Sequence, residues 1–236
     1  MLARRLEEVQ ARVVAAAERA GRDPAQVRTM VVTKTHPRAV VDQLLAAGAR
    51  LFGENRVQEA TQKYGGDPGR ADYELHLIGH LQRNKATAAA GLFDAVQSID
   101  KLATATALAR ALGTPATPIR VLLELNSSGE VQKHGCRSLE ELLELQQQIG
   151  GELPALRVAG VMTMAPYTED RERIRACFRH TREAFERMRI RDATIDTLSM
   201  GMSGDFELAV EEGATLLRLG TVVLGPRPDP AAAQPS

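Results

Sequence analysis

The chain has 236 residues and a formal net charge of zero, and its length is enough for one large domain or two small ones. Hydrophobic residues make up 44% of it, which is enough to form a sizeable core. Its balanced charge argues against nucleic-acid binding, and no apolar run approaches the length of a membrane span. Because the N-terminus is a poor signal peptide and the two cysteines lack metal-ligand spacing, we expect a cytoplasmic protein with reduced thiols and no metal site.

The predicted elements alternate along the chain after a first helix over residues 2–20, which is indicated by helical spacing of apolar residues such as Leu2, Leu6 and Val9. Short apolar or β-branched runs then predict eight strands, at residues 28–33, 49–52, 74–78, 93–97, 118–125, 156–162, 194–199 and 215–224. Helical patterns separate them, at residues 37–47, 55–63, 82–89, 101–112, 138–149, 169–188 and 204–212. Strands that alternate with helices form parallel sheets, because a parallel partner requires a crossover.

Eight such units in fewer than 250 residues predict an α/β fold, a single closed (β/α)₈ TIM barrel. An open, doubly wound sheet is the alternative. That fold usually carries Gly-x-Gly-x-x-Gly after its first strand, whereas this chain has Lys34-Thr35-His36-Pro37 there. We therefore expect one barrel over residues 1–227, followed by a flexible tail, 228–236, that is rich in proline and alanine.

Polar residues and glycines recur where the predicted strands end, and barrel chemistry sits at that rim. Lys34, after the first strand, is the most informative of them, since only five of the 30 basic residues are lysines. Arginine cannot replace lysine where a neutral amine must condense with an aldehyde or ketone. For this residue taken alone, a solvated lysine paired with a carboxylate or a helix end is the competing interpretation.

The segments after the last two predicted strands suggest a phosphate site. Ser203 is a plausible N-cap of the following helix, whose free backbone N–H groups would favour an anion. Gly220 would let a ligand approach the backbone, and Thr221 adds a hydroxyl. An ordinary helix cap and a tight turn explain the same residues equally well.

Arg218, on the last predicted strand, points toward the rim or the interior of the barrel. If a phosphorylated pyridine aldehyde lay between Lys34 and Ser203, Arg218 could meet the ring nitrogen. Arginine only donates hydrogen bonds and stays charged, so it would keep that nitrogen unprotonated and weaken the ring as an electron sink. A salt bridge to an acidic neighbour is the alternative.

Several strings resemble the pyridoxal 5′-phosphate homeostasis protein family, which comprises single-domain barrels related to the barrel domain of alanine racemase. The similarity extends over residues 2–227, and its most specific strings are Gly-Glu-Asn-x-x-Gln-Glu at 53–59 and Ile-Gly-His-Leu-Gln-x-Asn-Lys at 78–85. Further matching strings are Val32-Thr33-Lys34-Thr35, Ser98-Ile99-Asp100, Gly160-Val161-Met162, Leu198-Ser199-Met200-Gly201-Met202-Ser203-Gly204-Asp205 and Arg218-Leu219-Gly220-Thr221.

The resemblance implies a barrel of fold type III, in which Lys34 holds pyridoxal 5′-phosphate as a Schiff base. The other cofactor-binding residues that it implies are Asn55, His80, Ser203, Arg218, Gly220 and Thr221. Ser203, Gly220 and Thr221 match the family's phosphate cradle, and Arg218 matches the arginine at the pyridine nitrogen. Asn55 and His80 match rim positions near the cofactor.

The resemblance also implies a second lysine, Lys133, on the loop after the fifth strand, which would accept the cofactor transiently. An exposed loop lysine with no such role is the alternative for Lys133.

Racemases of this fold carry a second, all-β domain that supplies an opposing acid–base group, and two-base racemisation needs proton donors on both faces. We expect this chain to lack that domain, and Tyr64, Tyr73 and Tyr167 do not fall at matching rim motifs. We therefore expect a monomer without catalytic residues or robust activity. It would buffer pyridoxal phosphate, pass it to apo-enzymes and so influence amino-acid and keto-acid pools.

Two enzymatic alternatives stay open at this stage. One is a weak pyridoxal-phosphate-dependent racemase or decarboxylase of amino acids. The other is a Schiff-base aldolase in which Lys34 attacks a phosphorylated sugar and no pyridoxal phosphate is bound.

Overall fold

The computed structural model describes residues 1–127, 130 and 134–226. Its strands are β1 Arg28–Val32, β2 Leu51–Glu54, β3 Glu74–Leu77, β4 Ala95–Ile99, β5 Ile119–Glu124, β6 Leu156–Met162, β7 Thr197–Ser199 and β8 Leu216–Leu219. Its α-helices are α1 Leu2–Arg19, α2 Arg38–Ala46, α3 Val57–Tyr64, α4 Ala86–Ala90, α5 Leu102–Leu112, α6 Leu139–Glu152, α7 Arg171–Arg191, α8 Phe206–Glu211 and α9 Thr221–Leu224. The expected tail, residues 228–236, and Lys133 lie outside the described residues.

The eight strands form a closed parallel barrel in chain order, which confirms the predicted fold. Each strand pairs with the next, and β8 returns to pair with β1, where Val31 lies beside Leu219. On its other side Val31 lies beside Phe52 of β2. Because all strands run in one direction, their carboxyl ends meet at one rim, as expected for the candidate site.

Helix α1 covers the outside of the barrel and packs against α8 and α9. Its buried residues, Val9, Val13, Ala16 and Ala17, recur every three or four positions. That spacing places them on one face of the helix, so the same periodicity that predicted the helix also provides its contact with the core.

The structure corrects several strand boundaries, and the largest shift of a strand start is in β7, which begins at Thr197, three residues later than predicted. The run at 215–224 was too long, because β8 stops at Leu219 and residues 221–224 form α9. The second and fourth strands begin two residues later than predicted, at Leu51 and Ala95. Ala49 and Phe93 are buried in the turns before these strands, so apolar character alone marked the start too early.

Within the described ranges, every helix is too short or too polar to cross a lipid bilayer.

Candidate functional site

A cavity of about 510 Å³ lies at the carboxyl ends of the strands. Its volume falls within the range of small-molecule sites, about 300–1,000 Å³. The structure brings all of the sequence-predicted site residues to its lining: Lys34, Asn55, His80, Ser203, Arg218, Gly220 and Thr221.

Lys34 follows β1 and is half-buried. The next residue, Thr35, has a φ of +66°, an uncommon left-handed conformation for a residue other than glycine. Its backbone N–H donates to Oε1 of Glu59 at 2.5 Å. The carboxylate thereby fixes a sharp turn directly after the lysine and defines where the side chain of Lys34 leaves the strand.

A buried polar cluster under Lys34 supports this turn. Glu54 Oε1 accepts hydrogen bonds from Thr33 Oγ1 at 2.7 Å and from Lys63 Nζ at 2.8 Å. Lys63 also donates to the Thr33 carbonyl at 2.8 Å, while the Tyr64 hydroxyl lies 2.7 Å from Thr33 Oγ1. Burial raises the pKa of Glu54, and the ammonium of Lys63 opposes this shift. The cluster ties the end of β1 to β2 and α3.

Arg218 lies inside the barrel and is 4% exposed. The interior was one of the two directions predicted for it, the rim being the other. Its guanidinium donates to Ser199 Oγ at 2.7 Å and to the Thr163 carbonyl at 2.7 Å. Ser199 in turn donates to Gln97 Oε1 at 2.7 Å, and the Gln97 amide nitrogen lies 2.8 Å from Nδ1 of His76. This polar column fixes the guanidinium at the floor of the cavity.

Ser203 has a different partner from the one predicted. Helix α8 begins only at Phe206, with Asp205 at its N-cap position, so the interpretation of Ser203 as its N-cap was wrong. Ser203 Oγ instead accepts from the backbone N–H groups of Gly220 and Val222, each at 3.2 Å. It therefore joins the segments after β7 and β8 across the wall of the cavity.

Asn55 and His80 are brought together by close backbone approach. A Cβ on Gly79 would lie 2.2 Å from the Asn55 carbonyl oxygen, so only glycine fits beside Asn55. The His80 ring stacks on that of His134 with 4.2 Å between centroids and 14° between planes. Burial, together with the neighbouring His134, lowers the pKa of His80.

Sequence reasoning missed several residues that line the cavity, namely His36, Glu124, His134, Met162, Met164, Tyr167 and Met202. Burial raises the pKa of Glu124 to about 7, with Asp100 adding to the shift and Arg218 opposing it. Tyr167 also lines the cavity, although it falls at no matching rim motif in the sequence. Glu124 lies near the end of the predicted fifth strand, 118–125, where residue type alone did not distinguish it from the other polar residues at strand ends.

A second cavity, of about 680 Å³, lies at the opposite end of the barrel, where the strands begin. Its three arginines are already paired: Arg28 with Glu74 at 2.6 Å, Arg120 with Asp196 at 2.7 Å and Arg189 with Glu186 at 3.4 Å. The rim cavity is the stronger candidate because it combines a lysine amine, a buried guanidinium and the hydroxyl-bearing residues Ser203 and Thr221.

The family model for the N-terminal domain of alanine racemase matches residues 5–228. The pyridoxal phosphate homeostasis protein of Pseudomonas aeruginosa is 41% identical over 96% of both chains. The chain belongs to this family. The homeostasis protein of Escherichia coli K12 is 38% identical over 96% of this chain and 97% of its own length.

Solved structures agree with this membership in the pyridoxal phosphate homeostasis protein family. PipY of Synechococcus elongatus with pyridoxal phosphate bound is 32% identical, with a TM-score of 0.80 over 95% of this chain and all of PipY. A protein from Bifidobacterium adolescentis reaches a TM-score of 0.88 at 33% identity, over 94% of both chains. Alanine racemase of Corynebacterium glutamicum, at 19% identity and a TM-score of 0.64, shares the fold.

The residues at the rim fit a phosphorylated pyridine aldehyde. Lys34 offers a primary amine, Arg218 a buried cation, and Ser203 and Thr221 two hydroxyls. A Cβ built on Gly204 would meet nothing within 4 Å, so the cavity is open on the side of the expected phosphate cradle. The donors are cationic or hydrogen-bonding, as an anionic ligand requires.

Proposed function

We propose that this chain binds pyridoxal 5′-phosphate in the rim cavity, attached covalently through Nζ of Lys34, and acts as an intracellular carrier of it. The observation that carries the proposal is that one cavity is lined by Lys34, Arg218 and the Ser203–Gly220 wall. The relative PipY, 32% identical over all of its length, has been solved with pyridoxal phosphate bound.

In this proposal each residue has a distinct task. Pyridoxal phosphate bound here would supply an aldehyde that condenses with a primary amine and releases water, and the resulting C=N product absorbs visible light. The turn held by Glu59 presents the amine of Lys34. Ser203, Gly220 and Thr221 surround the phosphate, while Arg218 contributes a positive charge that only donates hydrogen bonds. Asn55 and His80 border the ligand from the neighbouring strand ends.

A carrier role is supported over catalysis by two observations. The relatives from Pseudomonas aeruginosa and Escherichia coli, 41% and 38% identical over 96% and 97% of their own length, are named as homeostasis proteins. In addition, a guanidinium near the ring would hold its nitrogen unprotonated, which weakens the ring as an electron sink. We propose further that the chain is a monomer that supplies pyridoxal phosphate to apo-enzymes.

Reductive trapping tests the covalent attachment. Borohydride treatment of the purified, pyridoxal-phosphate-loaded chain should abolish its visible band and label the peptide that contains Lys34. Lys34→Ala and Lys34→Arg should both lose band and label, because arginine keeps the charge but cannot condense. Lys133→Ala is the matched control and should retain both. A label on Lys133 alone, or a visible band that survives in Lys34→Arg, would refute the assignment.

Proton exchange at the α-carbon of amino acids separates carrier from racemase. The loaded chain, incubated in deuterated water with a panel of amino acids, should show exchange far below the enzyme median of about 10 s⁻¹. Sustained exchange near that rate would establish an enzyme and overturn the carrier proposal. A chain purified without a visible band whose Lys34 is trapped by borohydride as an adduct of a phosphorylated sugar would instead indicate a Schiff-base aldolase.

A further inference from the structure

A second constellation lies beside the cavity, at the carboxyl ends of three consecutive strands. His80 follows β3, Asp100 directly follows β4, and His134 lies on the segment after β5. These strands are neighbours in the barrel, so their ends converge although the three residues are far apart in sequence. Each offers one ligand atom, and these atoms all lie within 4.8 Å of one another.

Asp100 is the buried member of this cluster. Its side chain is 3% exposed, and its Oδ1 atom has no hydrogen-bond partner among the described residues. Among the described residues, Oδ2 accepts a long bond, 3.4 Å, from the Gly135 backbone N–H and lies 3.9 Å from Nδ1 of His134. A buried carboxylate oxygen without a partner is costly. A cation held between the carboxylate and the imidazoles would remove that cost.

The chain around His134 is shaped to bring this residue to Asp100. Gly135 has a φ of +116°, and a Cβ there would lie 2.7 Å from the Asn126 backbone nitrogen. Cys136 then donates its N–H to the Glu124 carbonyl at 2.8 Å, which returns the segment to the end of β5. His134 itself is 57% exposed at its side chain and can rotate without disturbing the core.

We infer that His80, Asp100 and His134 form a binding site for a divalent transition-metal ion of the zinc class, with a coordination position open toward the rim cavity. Two imidazole nitrogens and one carboxylate oxygen are ligands that zinc favours, whereas magnesium and calcium favour oxygen ligands throughout. Three protein ligands leave a fourth position for water or an anionic group, as in open zinc sites.

The geometry needs a modest adjustment to accept the ion. Zinc–ligand bonds of about 2.0–2.2 Å place two tetrahedral ligand atoms roughly 3.4 Å apart, closer than the present upper limit of 4.8 Å. Rotation of the two exposed imidazoles would close this gap. Local cysteine and histidine spacing gave no sign of the site, because its members come from three separate strand ends.

Metal titration of the full chain tests the inference without involving pyridoxal phosphate. Calorimetry with Zn²⁺ should show one equivalent bound, and Co²⁺ should give visible bands of a nitrogen–oxygen site without a thiolate charge-transfer band. Asp100→Asn and His134→Gln should each weaken Zn²⁺ binding at least tenfold. His180→Gln, which changes an exposed histidine on α7, should bind as the unmodified chain does.

Three outcomes would overturn the site: no Zn²⁺ binding by the unmodified chain, unchanged affinity in His134→Gln, or a thiolate band that assigns the ion to Cys136. Because His134 is exposed, His134→Gln should keep the circular dichroism spectrum of the unmodified chain. An unchanged spectrum would attribute weaker Zn²⁺ binding to the lost ligand and not to unfolding. Lys34→Ala should still bind Zn²⁺. The trapping result for Lys34→Ala therefore tests only the carrier proposal, and its Zn²⁺ affinity tests only the metal site.

Discussion

Burial shifts the pKa of several ionisable residues that line the rim cavity, among them Arg218 and Glu124. Burial lowers the pKa of Arg218 to about 10, and the negative charges of Asp205 and Glu124 oppose this shift. Burial raises the pKa of Glu124 to about 7. At neutral pH the guanidinium is therefore still charged, while the carboxyl group of Glu124 is close to its midpoint of titration. The charge of the cavity thus changes near physiological pH through Glu124.

This shift makes a pH-dependent contribution to the free energy of unfolding. The pKa of Glu124 rises from its ordinary value of 4.5 to about 7 on folding, so the folded chain binds the proton more tightly. The contribution is complete below pH 4.5 and is lost as the pH rises through 7. Between pH 5 and pH 8 the free energy of unfolding of Glu124→Gln should therefore fall less than that of the unmodified chain, by about 1–3 kcal/mol.

Urea unfolding of both proteins at the two pH values measures this difference. Other buried carboxyls, such as Glu54, are present in both proteins and cancel in the comparison. Equal pH dependence in the two proteins would show that Glu124 titrates near its ordinary value.

Short connections after β7 and β8 form the wall where the phosphate is proposed to bind. Ser203 comes from the first connection, and its hydroxyl accepts from Gly220 and Val222 in the second. Helices α8 and α9 have six and four residues, so neither has a long dipole to attract an anion. The conformation of these two connections, held together by one hydroxyl, is what shapes the cradle.

Removal of that hydroxyl should therefore affect both stability and ligand affinity. Ser203→Ala should lower the free energy of unfolding by about 0.5–2 kcal/mol and weaken pyridoxal phosphate binding roughly two- to tenfold. Ser138→Ala is the matched control, because Ser138 caps α6 by accepting from Glu141 N–H at 3.2 Å, at a helix outside the rim cavity.

Urea unfolding and spectroscopic titration with pyridoxal phosphate provide the two measurements. Ser138→Ala should show the stability loss alone. Equal affinities in Ser203→Ala and Ser138→Ala would mean that Ser203 does not contribute to the cradle.

Closure of the barrel depends on close contact between strands at a few positions. Gly160 of β6 lies beside Thr197 of β7. A Cβ at Gly160 would lie 1.7 Å from the Thr197 carbonyl oxygen, which is a severe backbone clash. A closed barrel has no free edge that could move aside, so separation of β6 from β7 would disturb the whole ring and the rim above it.

Gly160→Ala should consequently lower the free energy of unfolding by about 3 kcal/mol. Gly150→Ala, on the exposed surface of α6, is the matched control, since its new methyl group would meet nothing within 4 Å. The free energy of unfolding of that control should rise by about 0.5–1 kcal/mol, because alanine loses less conformational freedom than glycine when the helix forms. Thermal unfolding of the two variants measures the contrast, and similar melting temperatures would contradict the role assigned to Gly160.

Much of the site could be predicted from residue type and strand-end position. Lys34 and Arg218 were found because each ends or occupies a predicted strand, and the structure places both on the cavity. The partner of Ser203, the position of Tyr167 and the histidine–aspartate cluster were not found. Each of these depends on residues that approach one another only after the chain folds.

Periodicity and short motifs are local properties of the chain, so the order of residues was enough to predict the alternating strands and helices, the parallel barrel and the family. Tertiary structure alone decided the direction of Arg218, the hydrogen bonds of Ser203, the raised pKa of Glu124 and the convergence of His80, Asp100 and His134. The reason is physical: desolvation and hydrogen bonding depend on which groups barrel closure brings within a few ångströms, and distance along the chain does not encode that.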